Sequence, residues 1–169
     1  MKNLNQIVIK GINMKTLREY TDYAEAKHIL FLIDACYGGL ASVGYKGMAP
    51  TTKGYYDKVF RGKARQIITA GGRGERVVEK ADWGHSAFTH NLLRGLKDWM
   101  ADLDNDGYIT GEEIGLYLKR RVTEDSGLHQ TPTIGRFTTD QGELMFTRPS
   151  QLGQAESHTP VPKTSLVQP

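Results

Sequence analysis

The chain has 169 residues, enough for one domain around a single core, and its +3 net charge is too small and too evenly spread to argue for a nucleic-acid partner. No apolar run approaches the roughly 20 residues that a membrane helix needs, and the single cysteine rules out an internal disulfide framework. Residues 1–10 lack the apolar core of a signal peptide, so the expected compartment is the cytoplasm, which a lone thiol suits.

In chain order, Gln6-Ile7-Val8-Ile9-Lys10 reads as a short strand. Asn13 is placed to cap a helix over Lys15 to about Ala26, with Leu17, Tyr20 and Ala24 on one face. His28 to Ile33 is an uninterrupted apolar run ending in Asp34-Ala35-Cys36-Tyr37-Gly38-Gly39, which predicts a strand of the parallel type, buried on both faces. Residues 41–54 read as a long Gly-rich loop of the kind found at functional sites, and Tyr55 to Gly62 as a helical turn. Ala64 to Ala70 is a second buried strand. The following Gly71-Gly72-Arg73-Gly74 is a turn, since it lacks the Lys-Ser/Thr pair of a phosphate cradle.

Helical periodicity returns from Ser86 to Ala101 and again from Gly111 to about Glu124. Glu143 to Thr147 is a last short strand stopped by Pro149. Residues 150–169 are Pro-, Ser-, Thr- and Gln-rich and are expected to be a disordered tail.

Two constellations carry chemistry. Cys36 follows a buried-type strand, and in open α/β sheets reactive groups collect beyond the carboxyl ends of the strands. It reads either as a nucleophile or as a small thiol used in packing. The second constellation is Asp102-Leu103-Asp104-Asn105-Asp106-Gly107-Tyr108-Ile109-Thr110-Gly111-Glu112-Glu113, which fits the twelve-residue EF-hand loop. Asp102, Asp104 and Asp106 supply carboxylates at positions one, three and five, and Gly107 allows the sharp turn. Tyr108 offers its carbonyl, Thr110 a water-mediated contact, and Glu113 a bidentate carboxylate. A hard, all-oxygen set suits one calcium ion, with helices on both sides completing the helix-loop-helix. A lone loop implies modest affinity, about 10⁻⁵ to 10⁻³ M, and a bracing role more than a sensing one. The alternative is a solvated acidic turn.

Asp34-Ala35-Cys36-Tyr37-Gly38 resembles the nucleophile segment of caspase-like cysteine peptidases, whose signature is Gln-Ala-Cys-(Arg/Gln/Gly)-Gly. Asp34 stands where that signature has Gln. Residues 27–40, Gln66 to Gly71, Gly84-His85-Ser86-Ala87-Phe88-Thr89 and Gln130-Thr131-Pro132 resemble successive landmarks of the bacterial branch, so the likeness runs from about Gly11 to Pro149.

The resemblance implies a caspase-like three-layer α/β/α sandwich with the EF-hand-like helix-loop-helix inserted. It also implies Cys36 as nucleophile acting on a protein or peptide substrate. In metacaspase-type members an Asp two residues before the Cys lines the pocket for Arg or Lys, a role Asp34 matches. The alternative is an Asp that only caps the turn.

In the family the activating His lies about 50 residues before the Cys, whereas only 35 residues precede Cys36 here. The sole upstream histidine, His28, opens the same strand, about 26 Å away at about 3.3 Å per residue. Residues 1–149 therefore read as a partial domain lacking the first three strands and the catalytic His, and inactive alone. His28 to Ile33 would then form an exposed sheet edge. Either the reading frame is broken, or a separate chain supplies the remaining half. Outside the peptidase class, the rival is a non-catalytic calcium-binding or interaction module with a vestigial Cys36. A plain EF-hand protein is a third reading, opposed by the two strand patterns.

Overall fold

The computed structural model describes residues 13–36, 53–72 and 74–149. The expected strand at Gln6 to Lys10, residues 41–52 of the loop expected over 41–54, and the tail over 150–169 lie outside the described residues, while Lys53 and Gly54 belong to a helix and not to the loop.

Helix α1, Met14–Tyr23, starts where Asn13 caps it, its Oδ1 accepting from the Thr16 amide at 2.9 Å. It stops three residues earlier than its periodicity predicts. The cause is Arg65, a buried guanidinium on the neighbouring strand. It donates to the carbonyls of Thr21 at 2.9 Å, Ala24 at 3.3 Å and Lys27 at 2.9 Å, drawing the end of the helix out into an extended segment. These bonds also compensate the cost of burying the charge.

Strand β1, His28–Cys36, runs parallel to β2, Ala64–Gly71, with His28 opposite Ala64 and Ile33 opposite Thr69. The register shifts between Ile33 and Cys36, and Cys36 comes to pair with Gly71. Such bulges re-aim side chains at strand ends. A third strand, β6 (Thr133–Arg136), pairs antiparallel with β2, so the order is β1-β2-β6 with β2 in the centre. Central β2 is buried throughout. By contrast β1 is less buried than expected: Leu32 is 36% exposed and its apolar neighbours are half-buried. Among the described residues β1 is paired on one side only, which is the physical reason.

The sheet and the helices packed with it give a mixed α/β fold. Pleating turns Gln66, Ile68 and Ala70 to one face, where α3 (Ala87–Lys97) and α4 (Gly111–Asp125) pack. Phe88, Ile114, Leu118 and Val122 meet Ile68 and Ala70 there. Gly115 makes this possible. A Cβ at that position would lie 2.5 Å from Ile134 Cδ1, so the absent side chain lets α4 close on β6. Arg65 emerges on the opposite face and holds the end of α1.

The remaining elements are small. Helix α2, Lys53–Arg61, leads into β2. Strands β3 (Glu79–Lys80) and β4 (His85–Ser86) form a hairpin around a 3₁₀ turn, and β5 (Tyr108–Thr110) pairs antiparallel with β7 (Met145–Thr147). Helix α3 ends at Lys97, four residues short of its expected end. Trp99 takes a left-handed φ of 58°, and a tight turn buries Ala101 before Asp102 begins the acidic loop. The incoming helix therefore does not run straight into that loop, in contrast to the expected helix-loop-helix. Among the described residues no helix is long and apolar enough to cross a membrane.

Candidate active site and candidate metal loop

Asp34 lies in the shifted end of β1. Its Oδ2 accepts from Ser86 Oγ at 2.5 Å and from Thr89 Oγ1 at 2.6 Å. Ser86 is the N-cap of α3 and accepts from the Thr89 amide at 3.0 Å. One hydroxyl thus starts the helix and orients the carboxylate. The Cys36 backbone closes β1 beside Gly71, while its side chain lies outside the described residues. Asp34 and Ala35 are solvent-facing, so this end of the strand is accessible.

The loop after β2 is stapled from the same end of the sheet. Glu75 Oε2 accepts from the amides of Gly72 at 2.8 Å and Thr131 at 2.7 Å. Buried Gln130 donates to the Ala70 carbonyl at 2.8 Å and accepts from the Val78 amide at 2.8 Å. Gln66 to Gly71, Gly84 to Thr89 and Gln130-Thr131, far apart in sequence, are thereby brought around the carboxyl ends of β1 and β2.

Two of the described histidines, His28 and His90, are engaged elsewhere. His28 opens β1, its Nε2 lying 3.0 Å from the Gly62 carbonyl and its ring edge-on to Phe60. His90 stacks on Trp83 at 4.9 Å between centroids. His85 neighbours Ser86, but strand pleating turns it to the opposite side of β4, where it is exposed, as is His129.

In the acidic loop, Asp102, Asp104 and Asp106 each offer a carboxylate oxygen within 4.8 Å of the others. The turn that gathers them needs Gly107, at φ 87°, a conformation costly for any side chain. Asp102 Oδ1 accepts from the Asp106 amide at 3.0 Å and Oδ2 from the Gly107 amide at 3.0 Å, while Asp106 Oδ1 accepts from the Tyr108 amide at 2.8 Å. Asp104 Oδ2 is buried with no hydrogen-bond partner.

Glu113 is not part of the aspartate cluster. With Thr110 it forms the capping box of α4, accepting from the Thr110 amide at 2.8 Å and the Leu103 amide at 3.1 Å. Burial raises its carboxyl above the ordinary range, the Thr110 and Leu103 donors oppose that, and the Asp104 charge adds to it. Ile109 is fully buried, and β5 obtains from β7 a pairing partner within the chain.

Two neighbours of the loop, Tyr56 and Arg148, carry no sequence signal that ties them to it. Tyr56 donates its hydroxyl to Asp106 Oδ2 and sets its ring against Tyr108, 5.3 Å between centroids. Burial and the adjacent Asp106 carboxylate raise the Tyr56 hydroxyl well above its usual range. Arg148 NH2 lies 3.4 Å from Asp102 Oδ2, and the guanidinium covers the Trp99 ring at 5.0 Å. The capping box, by contrast with these contacts, was written in Thr110-x-x-Glu113.

No family model matches the chain, and no match was found among curated proteins or solved structures.

Proposed function

We propose that the chain carries the nucleophile and substrate pocket of a caspase-like cysteine endopeptidase domain, of three-layer α/β/α design, braced by one calcium-binding loop. The observation that carries this reading is the anchoring of Asp34 by Ser86 and Thr89 at the carboxyl end of β1. The two segments that meet there are separate landmarks of the family resemblance, and they are joined by hydrogen bonds of 2.5 and 2.6 Å.

In this reading the Cys36 thiolate attacks the carbonyl carbon of the scissile peptide bond, and Asp34 pairs with an Arg or Lys side chain just before it. A carboxylate held by two hydroxyls is preoriented for a guanidinium fork. The activating imidazole comes from a second segment, in the same polypeptide or another, because His28 stands at the opposite end of β1. Without a base, turnover falls by several orders of magnitude, so this chain alone is expected not to turn over substrate.

The loop suits calcium by its chemistry. Every donor is an oxygen, the aspartates converge, and the buried Asp104 Oδ2 lacks a partner. Asp102, Asp104 and Asp106, the Tyr108 carbonyl, Thr110 through water, and Glu113 would hold the ion. When bound, calcium neutralises the clustered carboxylates and ties the start of α4 to the loop. A second reading, a non-catalytic calcium-binding or interaction module, is favoured by the contacts that occupy His28, with the Gly62 carbonyl, and His90, on the Trp83 ring.

Peptide alkylators directed by Arg, Lys or Asp test the two. The peptidase reading expects Cys36 to react at least 10-fold faster with the Arg and Lys probes than with the Asp probe. Equal rates for all three, at the level of an ordinary thiol, would leave only the module.

A further inference from the structure

The geometry points to Tyr56 as the residue that couples metal occupancy of the acidic loop to the docking of α2, and this rests on the calcium reading of that loop. Asp106 is at once a prospective ligand, at position five, and the acceptor of the Tyr56 hydroxyl. Its other oxygen accepts from the Tyr108 amide at 2.8 Å, and the Tyr108 ring meets the Tyr56 ring. The carboxylate, the loop backbone at position seven and the first turns of α2 are therefore one mechanical unit. A cation that fixes the Asp106 carboxylate fixes the oxygen that Tyr56 holds.

The far end of α2 is fastened independently. The Glu143 amide donates to the Val59 carbonyl at 3.1 Å, and the Gly142 amide to the Lys63 carbonyl at 3.1 Å. Glu143 in turn accepts from Gln66 of central β2 at 2.7 Å and from Arg136 of β6. That end belongs to the sheet, whereas the Tyr56 end leans on the loop. Among the described residues, α2 is the first element after Cys36 in chain order. Occupancy of a loop some fifty residues further along is thus relayed to the element that follows the nucleophile strand in order among the described residues.

The hydroxyl has a second effect, on the metal itself. Donors that hold a ligating carboxylate from behind set its orientation, and their removal typically costs about 10- to 100-fold in metal affinity. Tyr56→Phe keeps the ring contact and removes only the hydroxyl.

The test is calcium titration by calorimetry of wild type and Tyr56→Phe, with amide hydrogen exchange over α2 recorded with and without calcium. The expected result is binding to wild type, about 10-fold or more weaker binding to Y56F, and slower α2 exchange on calcium addition in wild type but not in Y56F. If wild type binds, Y56F binds within twofold, and α2 exchange responds equally in both, the coupling is overturned while the calcium reading stands. If wild type itself does not bind, both fall. Should Y56F fail to fold, wild type decides alone: slowed α2 exchange supports the coupling, and unchanged exchange overturns it.

Discussion

Replacing Arg148 with Gln is expected to tighten calcium binding while lowering the stability of the metal-free protein. Its guanidinium nitrogen lies 3.4 Å from Asp102 Oδ2, and Asp102 presents a side chain only 1% exposed. A calcium ion sits about 2.4 Å from each oxygen ligand, which puts the two positive centres about 6 Å apart. At an effective dielectric of about 20 that repulsion is about 5 kcal/mol, an upper bound. The Arg148 side chain is 38% exposed, so solvent and salt reduce it to about 1–2 kcal/mol, or about 5- to 30-fold in affinity. Calorimetric titration at about 0.15 M salt should give that gain, and at about 0.5 M most of it should vanish. Without calcium, R148Q leaves Asp102 short of a partner, and its melting temperature should fall by a few degrees. Unchanged or weaker calcium binding in R148Q would refute the electrostatic reasoning, and with it the placement of the ion beside Asp102.

Other substitutions probe the remaining joints. Ser86→Ala removes the cap of α3 and a donor to Asp34 together, and chemical denaturation should show a loss of about 1–2 kcal/mol. Thr89→Val removes only the second donor, and is expected to lower the preference of Cys36 for Arg-directed over Asp-directed alkylators without a comparable loss of stability. Gly115→Ala gains helix propensity but drives a Cβ to 2.5 Å from Ile134 Cδ1, so denaturation should show a net loss of about 1–3 kcal/mol. A stabilised G115A would mean that α4 does not press on β6 as described. Glu113→Gln removes the prospective bidentate carboxylate but leaves an amide able to accept from Thr110. Calcium affinity should fall by at least 100-fold while the metal-free melting temperature moves little.

The elements with strong periodicity were legible in the sequence. Asn13 announced α1, the apolar run at residues 28–33 and Ala64 to Ala70 announced a parallel pair, and the stripes around Phe88 and Ile114 announced two packed helices. What periodicity could not reveal were the places where a distant side chain overrides the local pattern. Arg65 ends α1 early by taking its carbonyls. Trp99 ends α3 early because the turn must bury Ala101. Strand β6 went unread because Gly135 and a neighbouring Pro132 carry weak strand signals, and only pairing with β2 defines it.

At the site, the spacing of a contiguous loop pointed to the aspartates, and Asp34 was singled out only through the family resemblance of the segment around Cys36. The groups that hold them, namely Ser86, Thr89, Tyr56 and Arg148, come from elsewhere in the chain, and no local pattern encodes a contact across fifty residues. Glu113 and Thr110 show a different limit. Two roles, cap and ligand, use the same residue types at the same spacing, and the structure displays the cap.

The most direct measurement is the rate at which Arg-directed and Asp-directed peptide alkylators modify Cys36, compared between the unaltered chain and Asp34→Asn. The expected result is a preference of about 10-fold or more for the Arg probe in the unaltered chain, and its collapse toward unity in D34N with the intrinsic thiol rate retained. A preference for the Asp probe, or an Arg preference that survives D34N, would contradict it.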